Sequence, residues 1–327
     1  MEHKEETFHL KGGDSFPTLM WNAIRQFEKR EPAMSITCFA ELTDRAVLRA
    51  SGNDMHELLQ RLVTGNLDHV VPGHGVYSLL LTPQGKFLFD FFMVSDPTHE
   101  GAILIDCAAS RVADFQKRLT MYKLRADVTF ENITADFGVL AQWGNEAAPL
   151  PGQMAYPDPR SAFLGVRMIA PRGDLETVRD SLSGDAATPE DYRAFCVGLG
   201  VPDGSMDIGA EKDFPIENNL DLLNGIDFHK GCFVGQEVAS RTHRKGKARK
   251  RLVIAAVDGD TPKAGTDVTI GDAKVGSIAG VAGGSALALV FTDRVAKTQS
   301  LEARADKSKL TLSVPGYASF TLEGTAE

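Results

Sequence analysis

The chain has 327 residues, a net charge of −9 and four cysteines. Its composition suits a globular protein of about two or three domains, and the acidic balance argues against general nucleic-acid coating. No apolar run reaches the length of a membrane span. The mixed, acidic start (MEHKEETFHL) reads as neither a secretory signal nor an arginine-rich transit peptide. Cys38, Cys107, Cys196 and Cys232 are widely spaced, without a CxxC pair for zinc or a sequence-local iron–sulfur cage. Scattered cysteines suit a reducing compartment, and a bacterial cytoplasm is the expected location.

Residues 1–34 stand apart, with a short helix expected around Trp21–Arg30 and Met34 as an alternative start. From about Ser35 the pattern is mixed α and β. Met55, Leu58, Leu59, Leu62 and Val63 share one face of a helix, with Asn53 as its N-cap and Gly65 as its stop. Val76–Leu81 and Lys86–Val94 read as strands joined by the turn Thr82–Gly85. Ala102–Cys107 is a further strand. Ser110 caps a helix with Val112, Phe115, Leu119 and Tyr122 inward. Val128–Phe130 and Phe137–Trp143 read as strands. Pro149–Pro159 reads as a connection. Thr188-Pro189 opens a helix whose apolar face is Tyr192, Phe195, Cys196 and Leu199. After Arg251 short β-rich segments follow, including Lys274–Ala282, Ala286–Val290, Leu310–Val314 and Tyr317–Leu322, which predict a small C-terminal barrel or sandwich.

Three features carry candidate chemistry. In Lys230-Gly231-Cys232-Phe233-Val234-Gly235-Gln236-Glu237 one cysteine sits between glycines at the expected start of a helix. The helix dipole and Lys230 would favour its thiolate; a small inert turn cysteine is the competing reading. In Lys86–Val94, Asp90 faces away from Phe87, Phe89, Phe91 and Met93, together with Leu88, Phe92 and Val94. A carboxylate in such company is either a perturbed functional acid or an acid at the wet edge of a sheet. Arg241, Arg244, Lys245, Lys247, Arg249, Lys250 and Arg251 form a basic run that would hold phosphates, a polyglutamate chain or another anionic partner, or would serve as a solvated linker. Cys38, Cys107 and Cys196 read as buried packing, and no histidine pair has metal-ligand spacing.

The eight-residue run resembles the KGC-[YF]-x-GQE signature of the YgfZ-type folate-binding proteins, relatives of the glycine cleavage T-protein, an aminomethyltransferase. The resemblance extends over about Ser35 to Val295. It includes Leu48–Gly52, Thr64-Gly65-Asn66, Thr82–Lys86, Gly198–Pro202, Pro215–Leu220 and Gly225–Phe228. It implies an α+β fold: a three-domain ring around a central cavity, with mixed α/β N-terminal and middle domains and a small C-terminal β-barrel. The corresponding segments are 1–34, 35–135, 136–245 and 246–327. It further implies a tetrahydrofolate-binding protein that supports iron–sulfur cluster assembly or repair, with iron–sulfur client proteins that include tRNA-modifying radical enzymes. Cys232 would carry that function. Asp90 would lie near the reactive part of folate. Glu217, Asn219, Leu220, Lys230, Gly231, Gln236, Arg241 and Arg249 would complete the folate site. T-proteins pair the pterin with a glutamate of an Arg-x-Glu-x-Gly helix; the matching stretch here, Arg193–Gly198, offers none and carries Cys196. Aminomethyl transfer to tetrahydrofolate is therefore the alternative, and a non-enzymatic accessory role is the expectation.

Overall fold

The computed structural model describes residues 36–150, 154–244 and 248–322. The expected N-terminal extension with its helix, and Lys245 and Lys247 of the basic run, lie outside them.

β1 (Cys38–Glu41) belongs to the second of two sheets. It pairs with β7 (Phe137–Trp143) and, in parallel, with β10 (Asp185–Ala186). β9 (Val166–Pro171) and β8 (Met154–Pro157) complete the order β10-β1-β7-β9-β8. The first sheet is antiparallel, in the order β3 (Val76–Leu81), β4 (Phe87–Ser95), β5 (Ile103–Ala108), β2 (Arg45–Ser51) and β6 (Thr129–Asn132). One face of it is covered by α1 (Met55–Leu62) and α2 (Val112–Lys123), through Met55, Leu59, Leu62, Phe115 and Leu119. Its other face meets the second sheet: Val47, Phe92 and Leu104 share a core with Ala40, Val139 and Ile169. α3 (Leu175–Ser181) covers the far side of the second sheet through Leu175 and Val178. Layers of this kind bury the apolar stripe of each element against its neighbour.

α4 (Pro189–Gly198) opens with the expected cap. Thr188 and Asp191 form a reciprocal capping box and Pro189 starts the helix. The chain then runs from 199 to 235 without a helix or strand, yet it buries Val201, Ile208, Ile216, Leu220, Leu223, Ile226 and Phe233. After α5 (Gln236–Arg244), six strands close the barrel β11-β14-β13-β12-β15-β16, formed by Lys250–Asp258, Ser285–Phe291, Ala273–Ala282, Asp267–Ile270, Glu302–Ala305 and Ser308–Ser313. β11 pairs with both β14 and β16, so no edge is left open. α4 docks on it through Val197, Leu252 and Leu287.

Several local expectations change. β8 lies inside the proline-rich stretch expected to be a connection. Tyr317–Leu322 is not a strand: the chain turns at Pro315–Ala318 and Tyr317 donates to the Gly200 carbonyl at 2.6 Å. Asn53 is not the cap of α1, since its side chain donates to Asp127 and Asp54 holds that position. α1 ends at Leu62, short of Gly65, and α2 starts after a 3-10 turn at Ala109–Arg111 with no Ser110 side-chain cap. A register shift between Leu80 and Leu81 moves Phe87 to the face of Phe92 and Val94 and moves Leu88 to the opposite one.

Charge enters the core between the two sheets. Asp106 of β5 accepts from Arg45 of β2 at 2.6 Å and from Arg167 of β9 at 2.6 Å. Asp106 and Arg167 are almost fully buried. Burial raises the Asp106 pKa, but the two guanidiniums outweigh it and hold the carboxyl below its ordinary value. A depressed pKa stabilises the fold above the unfolded pKa, and that stability is lost as the pH falls through the folded one. Asp106→Asn is expected to destabilise the protein by about 3 kcal/mol or more at pH 7, because two buried cations lose their partner. Thermal unfolding followed across pH checks this: the gap to the wild type narrows below about pH 4.

Candidate functional site

A cleft opens where the first sheet, α4 and the loop after α4 meet. Asp90 reaches it from β4, Arg160 from the turn between β8 and β9, Arg167 from β9, Tyr192, Arg193 and Cys196 from α4, and Pro202 and Asp203 from the loop. The arginines are held in place. Arg160 grips Asp158 through two nitrogens at 2.7 and 3.0 Å and donates to the Tyr192 hydroxyl at 3.2 Å. Arg45, Arg160 and Arg167 lie 5.7, 5.0 and 4.1 Å from the centre of the Phe92 ring, so one aromatic ring helps support three cations.

Asp44 lines the cleft as an exposed acid, and the other two carboxylates, Asp90 and Asp203, are treated differently by their surroundings. Asp90 is only 8% exposed. Tyr77 donates to its Oδ2 at 3.0 Å, and its Oδ1 faces the backbone of Gly204, where an added Cβ would lie 2.0 Å away. Burial pushes the Asp90 pKa up, and the charge of Asp203 pushes it further. Burial also acts on Asp203. There, hydrogen bonds from Ser205 and the field of Arg45 outweigh it and hold the carboxyl below its usual value. Asp203 Oδ1 accepts from Ser205 N, Ser205 Oγ and Met206 N at 2.7, 2.6 and 3.2 Å. Among the described residues, neither Asp90 Oδ1 nor Asp203 Oδ2 accepts a hydrogen bond. Two acids with opposed shifts in one cleft make it the candidate functional site.

The cysteine motif forms a second, separate feature. α5 starts at Gln236, four residues after Cys232, so the thiol lies outside the first helical turn and the dipole argument does not hold. Nor does Lys230 serve as a neighbouring surface charge. Its side chain is buried and its ammonium donates to the carbonyls of Val63 and Gly65 at 2.8 and 2.5 Å, at the end of α1. Burial lowers its pKa to about 8. Downstream, Phe233 enters the inter-sheet core and Val234 packs against the core under α1 and α2. Gly235 takes φ +84° and lies against the Thr82 carbonyl and Gly85, where any Cβ would collide. Between these anchors Gly231 and Cys232 are exposed. The result is a thiol on a short bridge that is clamped at both ends.

The other expected site residues are not brought to the cleft. Asn219 and Leu220 are fully buried; Asn219 donates to the Leu252 carbonyl at 2.8 Å and to Tyr317 at 3.3 Å, tying the loop to the barrel. Glu217 is half-buried beside Lys250 at 3.9 Å. Lys230, Gly231, Gln236, Arg241 and Arg249 do not line the cleft. The basic run is divided, with Arg251 paired to Asp221 at 2.8 Å and Arg241, Arg244 and Arg249 exposed. Cys196, expected to be mere packing, lines the cleft. The sequence reading missed Arg45, Arg160, Arg167, Tyr192 and Asp203; only the turn pattern Pro202-Asp203-Gly204-Ser205 could have drawn attention to the last.

The mouse protein named "Iron-sulfur cluster assembly factor IBA57, mitochondrial" is 34% identical over 250 residues, covering 70% of this chain and 68% of that protein. The chain belongs to the IBA57 family. The Mycosarcoma maydis IBA57 homologue is 29% identical over 262 residues, 76% of this chain, and the chain spans 64% of its length. A family model described as the CAF17 C-terminal β-barrel domain matches residues 249–320, the barrel. The fold is that of the glycine cleavage system aminomethyltransferase T from Bartonella henselae, with a TM-score of 0.66 over 86% of each chain at 15% identity. The IBA57 relatives are named as mitochondrial, which overturns the expected bacterial cytoplasm. Scattered cysteines indicate a reducing compartment and do not distinguish a bacterial cytoplasm from an organelle interior.

Keeping Asp90 charged in the cleft costs stability. Its folded pKa exceeds the unfolded one, so that cost is absent at low pH and complete at neutral pH. Asp90→Asn preserves an acceptor for Tyr77 and removes the charge. It is expected to raise the melting temperature at pH 7 by about 1–2 °C, the effect of about 1 kcal/mol in a chain of this size. Calorimetric scans check the sign, and the gain should vanish near pH 4.

Proposed function

We propose that this protein is a tetrahydrofolate-binding accessory factor of the YgfZ type that supports the assembly or repair of iron–sulfur clusters in client proteins, tRNA-modifying radical enzymes among them. The observation that carries this reading is the clamped bridge: Cys232 is exposed, while Lys230, Phe233 and Gly235 on either side are fixed in the fold. A thiol held in this way meets a partner's cluster without first ordering a loop. The names of the IBA57 relatives support the same role.

The cleft supports the folate half of the proposal. Acids and aromatic rings converge on it, and the free Oδ1 of buried Asp90 suits the N–H edge of a pterin. Phe92 and Tyr192 offer apolar walls. Bound folate would supply a one-carbon carrier or a redox-active pterin; this chain's part is to hold and orient it through Asp90, Asp203 and Tyr192.

Aminomethyl transfer is the second reading, favoured by the fold shared with aminomethyltransferase T. Against it, α4 turns Tyr192, Arg193 and Cys196 to the cleft and no carboxylate. Turnover of an aminomethylated carrier protein with tetrahydrofolate would favour this reading over ours.

Cys232→Ala alters an exposed side chain, and its melting temperature is expected to stay within about 1 °C of wild type. In cells lacking the endogenous protein it should fail to restore iron–sulfur enzyme activity. Full restoration by the mutant would remove the thiol from the mechanism. Calorimetric titration of the wild type with 5-formyltetrahydrofolate tests the cleft separately.

A further inference from the structure

Two of the cleft's aspartates, Asp90 and Asp203, are fixed by the fold through one oxygen each and leave the other oxygen free. The loop at 202–207 is built to present one of them. Asp203 spends Oδ1 on three donors of its own turn. Its backbone N–H donates to Asp207 Oδ2 at 2.7 Å, and Asp207 is fixed by Arg193 at 2.5 Å. The turn therefore holds Asp203 at its backbone and through one oxygen, leaving the other without a partner among the described residues.

Gly204 sets the spacing. It is not one of the positive-φ glycines, so its backbone would accept any residue. What excludes a side chain is contact: a Cβ would stand 2.0 Å from Asp90 Oδ1 and 2.7 Å from Phe87 Cζ. The loop is thus pressed onto β4, and the carboxylates of Asp90 and Asp203 come to the same cleft.

We propose that Asp203 is the specificity-determining residue of the cleft, its Oδ2 accepting an N–H from the same ligand edge that Asp90 Oδ1 meets. This inference rests on the folate reading above and extends it. The ligand class is a planar heterocycle with adjacent N–H donors, such as a 2-amino-4-oxopyrimidine ring. α4 supplies no acid for that edge, and Asp203 does so from the loop that follows it. The opposed pKa shifts of the two acids agree: Asp203 remains the anion that attracts donors, while Asp90 sits where a proton is more easily retained.

Asp203→Asn gives the test. The amide oxygen can still accept from Ser205 and Met206, so the turn keeps its bonds, but the free acceptor becomes a donor facing donors. Wild type and variant would each be titrated with 5-formyltetrahydrofolate and with its 2-desamino analogue, with melting temperatures measured alongside. The variant is expected to lose about tenfold or more in affinity for the parent ligand and to bind the analogue as the wild type does. A variant that binds the parent ligand with wild-type affinity overturns the inference and leaves the folate reading standing. A wild type that binds neither compound overturns both. Should the variant fail to fold, the wild type alone decides: it must prefer the parent over the 2-desamino compound by about tenfold, and equal affinities refute the role of Asp203.

Discussion

The fold depends on placing a carboxylate, Asp106, between two sheets and neutralising it from both. Arg45 comes from its own sheet and Arg167 from the opposite one. An unpaired charge in that position would not be tolerated, so the two sheets can close only in the register that brings Arg167 to Asp106. The pair contributes specificity of assembly more than net stability, since desolvation offsets most of the attraction. It also has a local consequence. The arginines gather around Phe92, and the space beside them cannot be filled by aliphatic side chains alone. The polar cleft adjoins this charged seam, and Asp90, two residues from Phe92 on the same strand face, opens into it.

Much of the secondary structure was legible because local rules agreed with the fold. The Thr188-Pro189 cap, the β3–β4 hairpin and the apolar face of α1 all rest on short-range patterns. The strand that carries Asp90 was readable too, but its faces were not. A bulge at Leu88, between Phe87 and Phe89, shifts the alternation by one residue, and nothing in Lys86–Val94 alone announces it. The segment 199–235 defeated the reading for a different reason. It has no period, because its buried residues are placed by turns and side-chain bonds such as Asn219 to Leu252. Two residues matched to a folate site there, Asn219 and Leu220, are buried where the loop meets the barrel.

Legibility of the site divides in the same way. Asp90 was identified because a lone acid in an aromatic strand breaks its pattern. Its partner Asp203 was not, since an aspartate in a Pro-Asp-Gly turn is ordinary in any loop. The four cleft arginines are scattered from position 45 to 193, and only the closure of the sheets and the docking of α4 unite them. The motif around Cys232 was found, yet its physics was misread. The sequence pattern suggested a thiolate favoured by a helix and a lysine; the fold instead gives Lys230 a mechanical task.

That task links the two functional features through one strand. The carbonyls that receive the Lys230 ammonium belong to Val63 and Gly65, and Thr64 between them is bound to β3: Leu79 N–H donates to its hydroxyl at 2.8 Å, and its own N–H donates to the Leu79 carbonyl at 3.0 Å. The Thr64 hydroxyl also reaches the Gly225 carbonyl at 2.6 Å, just upstream of the cysteine loop. Leu79 stands opposite Asp90 in the β3–β4 ladder, and Tyr77 of β3 holds the Asp90 carboxylate. One strand thus fixes the acid of the cleft on one side and the anchor of the thiol bridge on the other. Rigid elements of this kind keep a site in geometry better than loops do. The Thr64-Gly65 and Lys230-Gly231-Cys232 motifs lie more than 160 residues apart and together make one mechanical joint.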